Sequence, residues 1–234
     1  MNEQKFIEYL QHFGMTRQEA TVYQKLLVNG KQTGYEIAKA TGISRSNAYS
    51  ALAALVEKGA AYLVEESAKK YIPVKLEEFC ENYLRRMNEE KEWLLQNLPQ
   101  EKVAEEGYIT IEGMENIHSK IHNLLSEVQE RVYISCKAKY LEEFSKKLQK
   151  LLENNKKVVI ITDEEINFPD AIIYVTEDKG SQIGMITDSK YVITGEYGEK
   201  SLNTCLYSGQ RNFVILFKNA LANEIKLIQL NRSE

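Results

Sequence analysis

The stretch Ser44-Arg45-Ser46-Asn47, followed by Tyr49 and Ser50, gathers six hydrogen-bonding side chains with one charge among them. That mixture suits the edge of a nucleic-acid groove. An arginine can meet guanine through two parallel N–H bonds or hold a phosphate, and an asparagine can pair with adenine. The serines and Tyr49 fit phosphate oxygens, which set register rather than sequence preference. Lys69 and Lys70 form a second cationic pair that would reach a phosphate backbone or a minor groove. The same polar types also cap helices, so the reading depends on what positions them.

Other chemistries find less support. Glu115, His118 and His122 share one helix in an E-x2-H-x3-H pattern that could ligate a metal. Both histidines border the apolar stripe Met114, Ile117, Ile121, Leu124, Leu125 and Val128, and no cysteine or carboxylate cluster complements them nearby. Hydrogen-bonded border histidines are the expectation, with no metal or cofactor. Neither a phosphate-cradling glycine loop nor a G-x-S-x-G elbow occurs. Cys80, Cys136 and Cys205 lie far apart with no CxxC pair, as expected of structural thiols in a reducing cytoplasm.

The elements around the polar turn present it. Residues 2–12 and 16–29 have helical patterning. Thr16 with Glu19 forms a capping box, and Gly30 stops the second helix. A short helix, YEIAKATG, follows Thr33 and ends at Gly42. The next helix has Ser44 as its N-cap and runs to Gly59. AAYLVEE and YIPV then read as two strands around a polar, lysine-bearing turn. Three helices and a hairpin in that order make a winged helix-turn-helix. Ile37, Ala38, Ile43, Ala48, Leu52 and Leu55 can close one small core, which would hold the polar turn outward. Such modules also dock proteins, so an interaction adaptor is the alternative.

From Lys75 one long helix runs to a stop at Pro99. Leu76, Cys80, Tyr83, Met87, Leu94 and Leu98 follow a three/four spacing, broken at Glu90. This predicts an imperfect coiled-coil seam in a homodimer, or else a stripe packed on its own chain. Residues 101–107 read as an acidic hinge. Beyond Tyr108 the texture is α/β. YITIEG, RVYISC and KKVVIIT are separated by helices, which predicts parallel pairing. AIIYVT, QIGMITD, KYVITGE and NTCLYS follow, predicting hairpins in a mixed sheet. A last helix, 211–231, should cover one face through Leu216, Phe217, Ala220, Leu221, Ile225 and Ile228. The expected domains are therefore 1–74, a linker and dimerisation helix with its hinge at 75–106, and an effector domain at 107–234, an α+β or mixed class overall.

The 43% hydrophobic and 27% charged content is that of a globular domain. No apolar run approaches the roughly 20 residues of a membrane span, and the acid-containing N-terminus is unlike a targeting peptide. The net charge of −4 hides an uneven spread. Residues 1–74 carry nine Lys/Arg against seven Asp/Glu, and residues 75–106 carry five against nine. The first segment permits DNA binding without demanding it.

FGMTRQEATVYQKLL and GYEIAKATGISRSNAYSALAALVEKG, with the wing and long helix after them, resemble the N-terminal half of the TrmB family of transcriptional regulators. The resemblance implies a dimeric DNA-binding regulator of double-stranded DNA with a C-terminal effector domain that takes a small molecule. Residues 107–234 resemble that effector part, which implies a phospholipase-D-like fold. Active members of that fold carry H-x-K-x4-D-x6-G. Aligned on SQIGMITDSKYVITG, Asp188 and Gly195 match, but Ser181 and Ile183 replace the histidine and lysine. A covalent phospho-enzyme and phosphate neutralisation both need those two residues. A non-enzymatic sheet is therefore expected, with a phosphodiesterase or nuclease as the remote alternative. Some relatives sense sugars through a longer C-terminal extension, which this chain is expected to lack.

Overall fold

The computed structural model describes residues 2–65, 68–99, 107–177 and 179–231. The chain divides into two compact units, residues 1–102 and 103–234. Among the described residues no helix is long and apolar enough to cross a membrane.

The first unit contains α1 (Glu3–His12), α2 (Arg17–Asn29), β1 (Gln32–Thr33), α3 (Gly34–Thr41), α4 (Arg45–Glu57), β2 (Ala61–Glu65), β3 (Lys69–Pro73) and α5 (Leu76–Gln96). Capping sets the boundaries. The Thr16 and Thr33 hydroxyls accept from the N–H groups of Glu19 and Glu36, and each glutamate returns a bond to its threonine's N–H. These reciprocal bonds satisfy donors that a helix start leaves unpaired. Gly42, at φ 73°, ends α3 in the left-handed conformation that glycine adopts without penalty. The wing has three strands, in the order β1-β3-β2. Its two-residue β1 is too short to leave a period in the sequence.

Tyr23, Leu26, Ile37, Leu52 and Leu55 are fully buried beneath the helices. The Tyr23 hydroxyl donates to the Val74 carbonyl at 2.8 Å, tying α2 to the end of the wing. Lys58 Nζ donates to the Gly14 carbonyl at 2.7 Å and to Glu19 at 2.5 Å, fixing the end of α4 to the start of α2.

The start of α5 belongs to this core. Phe79 is 2% exposed and meets the rings of Tyr23, Phe13 and Tyr83 at centroid distances of 5.7, 6.3 and 6.2 Å. Leu76, Cys80 and Tyr83 pack against the same cluster. Each of the three is half-buried against its own chain. The apolar surface left open lies farther along, at Leu84, Leu94, Leu95 and Leu98, with Met87 half-buried. Wing residues 66–67 and the acidic hinge, except Gly107, lie outside the described residues.

The second unit contains β4 (Ile109–Glu112), α6 (Met114–Glu127), β5 (Arg131–Ser135), α7 (Ala138–Glu153), β6 (Lys157–Thr162), β7 (Ile172–Val175), β8 (Gln182–Thr187), β9 (Tyr191–Glu196), β10 (Thr204–Ser208) and α8 (Arg211–Asn231). The seven strands lie in the order β4-β10-β9-β8-β5-β6-β7. Among the described residues only β5–β6 and β6–β7 pair in parallel. Two strands pair otherwise than the sequence predicts. β4 does not join β5 but closes the far edge antiparallel to β10, and β7 makes a parallel pair rather than a hairpin.

Strand alternation divides the side chains between the two faces of the sheet. Val132, Ile134, Ile183, Met185 and Ile193 pack with α6 and α7, whereas Ile161, Ile186 and Val192 pack with α8. On α8 the buried residues are Val214, Leu221 and Ile228, with Phe217 and Ile225 partly buried. Leu216 is 68% exposed and Ala220 is exposed, correcting their expected place against the sheet. Heptad spacing of 214, 221 and 228 brings one line of the helix down; residues 216 and 220 lie on another.

Asp188 opens the turn between β8 and β9. It and Ser189 have φ values of 50° and 55°, and the Lys190 N–H donates to the Thr187 carbonyl at 2.9 Å, as in a type I′ turn. The Asp188 carboxylate accepts from the backbone N–H groups of Gln129, Glu130 and Arg131 at 2.8–2.9 Å. Partial burial pushes this carboxyl up, but the three N–H groups and nearby Lys190 outweigh it and hold it below its ordinary value. A depressed carboxyl contributes stability above its unfolded pKa and loses it as pH falls through the folded one. Asp188→Asn is expected to destabilise this unit by about 2 kcal/mol at pH 7 and to flatten its acid sensitivity below pH 4. Urea unfolding at pH 7 and pH 3.5 checks both.

Candidate nucleic-acid interface

α3 and α4 meet at Gly34, where a Cβ would lie 2.4 Å from the Tyr49 ring, so a larger residue would displace that ring. Tyr49 covers Gly34 yet remains 44% exposed. Behind the first turn of α4, Ala48, Leu52 and Leu55 are fully buried and Ala51 nearly so. Arg45, Ser46, Asn47 and Ser50 are exposed. The apolar half anchors the helix and the polar front projects.

Within that front, Ser44 has a task of its own. Its hydroxyl oxygen accepts from the Asn47 N–H at 3.2 Å, so its acceptor serves as the N-cap and its proton remains to donate outward. The Arg45 guanidinium lies 4.5 Å from the centroid of the Tyr35 ring. Such a stack contributes about 0.5–1 kcal/mol at an exposed site and restricts a long side chain before any partner arrives. Tyr35 carries no signal in the sequence, because a residue ten positions from Arg45 shares no local period with it. Lys69 is exposed and Lys70 half-buried at the first two positions of β3, paired in register with Glu65 and Val64 of β2. Lys70 also lies beside Thr33 of β1 and near the Glu36 carboxylate. The wing lysines and the α4 turn are therefore carried on two different elements of the same core.

The residues that a phosphodiester-cleaving site would require lie elsewhere and are differently employed. Ile183 is 1% exposed and turned into the core beneath α6 and α7. Ser181 is exposed, and its carbonyl accepts from the Tyr197 N–H at 2.8 Å. Gly195 lies where β10 approaches β9, and a Cβ on it would be 2.2 Å from the Thr204 carbonyl oxygen. His118 stacks on Phe144 at 5.1 Å with Nε2 3.9 Å from Glu143, and the Tyr197 hydroxyl donates to the same carboxylate. Among the described residues no group of three or more His, Cys, Asp or Glu side chains converges as a metal would need.

Comparisons with known proteins cover both units. The family model for the sugar-specific transcriptional regulator TrmB matches residues 10–77, and that for the TrmB EBD N-terminal subdomain matches residues 107–220. YrhO, an uncharacterised protein of Bacillus subtilis, is 24% identical over 82% of this chain and 70% of its own length. TrmBL1, a sugar-sensing transcriptional regulator of Pyrococcus furiosus, is 26% identical over 69% of this chain. That match spans 48% of the relative's length, so the chain covers about half of it. A solved structure of TrmBL2, described as an archaeal chromatin protein, aligns over 96% of this chain and 98% of its own at 21% identity, with a TM-score of 0.45.

Proposed function

The chain belongs to the TrmB family of transcriptional regulators, and from that premise we propose that it acts as a homodimer whose two α4 helices enter successive major grooves of double-stranded DNA. As a DNA-binding regulator it needs an element that reads base edges while the fold stays intact. The observation that carries the assignment is the exposed turn Arg45–Ser46–Asn47 standing on buried Ala48, Leu52 and Leu55. In this reading Arg45 and Asn47 contact bases, Ser44, Ser46, Tyr49 and Ser50 contact phosphates, and Lys69 and Lys70 hold the flanking backbone. Two reading helices on a two-fold axis would meet half-sites about one helical turn apart, or a multiple of it.

The open apolar residues Leu84, Leu94 and Leu95 of α5, with half-buried Met87 and with Leu98 just beyond the helix end, support the dimer seam there. Leu76, Cys80 and Tyr83 anchor the same helix to its own wing. The C-terminal unit acts as a non-catalytic effector domain. The burial of Ile183 supports this, because nothing at that position can offer a cation to a phosphate. A small molecule binding one arrangement of the dimer better than another would shift the spacing of the two reading helices.

Genomic fragments retained by the purified chain and sequenced should share a two-fold motif. Capture of a protein with no DNA retained would overturn this reading in favour of an adaptor. Lys69→Ala and Lys70→Ala are each expected to weaken binding by a similar factor on all sequences and to lower the slope of log K against log salt by about one. Gel-shift titrations at several salt concentrations measure both effects.

A further inference from the structure

On the side of α8 nearest the Asp188–Ser189 turn, a cavity of about 340 Å³ opens between the helix and the sheet. Its floor is apolar, made by Tyr133, Ile186, Leu221 and Ile225, and its cationic groups are Arg131, Lys218 and Lys226. Among the described residues no carboxylate lines it. Arg131 is already engaged, 2.8 Å from Glu130. Among the described residues, no carboxylate lies within ion-pairing distance of Lys218 or Lys226. The two lysines are eight residues apart on α8, about 12 Å along its axis, and Ala222 lies midway between them. A methyl group at that position leaves the cleft open. A second cavity, which shares Ser189 and Lys218, adds Arg211 and also Lys190, which lies near the Asp188 carboxylate.

An apolar floor flanked by Lys218 and Lys226, two cations that no described carboxylate pairs, selects for one chemical class. A neutral apolar molecule would leave the lysines without a partner, and a small inorganic anion would leave the floor wet. An organic acid with an apolar body uses both parts. The volume is at the lower end of the range of small-molecule sites, which limits the body to a medium chain or a pair of rings. We propose that this cleft binds an amphipathic organic carboxylate, its apolar body against Ile186, Leu221 and Ile225 and its head group between Lys218 and Lys226. The site lies toward the Asp188 end of β8, and none of the motif positions Ser181, Ile183, Asp188 and Gly195 lines it. It rests on the reading of this unit as the effector domain and gives that effector a place and a class.

The test uses the full chain without DNA, so that its failure is separate from any failure of the groove-reading turn. Decanoate, below its micellar concentration, is titrated into the protein in a calorimeter, with decanol as the uncharged counterpart. Saturable binding of one decanoate per chain is expected, at least tenfold tighter than decanol. The double variant Lys218→Gln/Lys226→Gln should weaken decanoate at least tenfold and leave decanol unchanged. Ala222→Trp, which fills the cleft from an exposed position and alters no charge, should abolish both. Absence of saturable binding, equal affinity for decanol, or affinity that either variant leaves unchanged would overturn the proposal.

Discussion

Leu52→Ala is expected to destabilise the N-terminal unit by about 2–5 kcal/mol, the range for a large-to-small change in a packed core. Leu52 is 0% exposed and lies in the core beneath the polar turn. Its loss removes transfer free energy and opens a cavity, and Ala48 and Ala51 on the same helix have no bulk with which to fill it. A domain of this size has only about 5–15 kcal/mol of total stability, so DNA binding should be sharply reduced at 37 °C although no contacting residue has changed. Two calorimetric transitions are expected from a chain of two compact units, and only the one assigned to the N-terminal unit should move. A variant with unchanged melting but lost DNA binding would show that Leu52 acts at the interface and that the anchoring argument is mistaken.

Gly195→Ala is expected to have a comparably large effect on the other unit. The added Cβ would meet the Thr204 carbonyl oxygen at 2.2 Å and Cys205 Cα at 2.7 Å. Both are backbone atoms of the neighbouring strand, so relief requires β9 to separate from β10, which would detach β10 and the edge strand β4 from the rest of the sheet. Overpacking typically costs about 1–3 kcal/mol, and a clash with backbone belongs at or above the upper end. Gly184→Ala provides the contrast. There the obstruction is the Phe217 ring, at 2.6 Å, a side chain on α8 that can turn aside, so the loss should be smaller and confined to the contact between α8 and the sheet. Urea unfolding of both variants measures the difference. Equal stabilities would show that this glycine is not required by strand approach and would reopen the question of its role.

What could be read from the sequence was local. Thr16 with Glu19, Gly30 and Gly42 announce helix ends through residues a few positions apart, and the structure uses all of them in that way. The run 44–50 was legible for the same reason, since a polar turn and the apolar positions behind it lie on one helix. Partner choice was not legible. Leu76, Cys80 and Tyr83 have the spacing of a seam whether the occupant is a second chain or their own wing, and only the position of Phe13 and Phe79 decides. α8 has apolar residues on two faces, so periodicity could not tell Val214, Leu221 and Ile228 from Leu216 and Ala220. Strand order depends on pairings across the chain, which is why the helix after β4 predicts a parallel pairing that the sheet does not make. Asp188 shows how a motif can mislead. Its spacing suggests chemistry, whereas its carboxylate gathers three backbone N–H groups and holds a turn.

The most direct test of the account is a gel-shift titration of Arg45→Ala against a bound genomic site and against a scrambled duplex of the same length. Arg45 is exposed and stacked on Tyr35, so its removal should leave the fold intact. Affinity for the genomic site is expected to fall by about 5- to 150-fold, the equivalent of 1–3 kcal/mol for a lost bidentate base contact, while affinity for the scrambled duplex changes much less. Undiminished affinity for the genomic site would contradict the assignment of the α4 turn as the element that reads DNA.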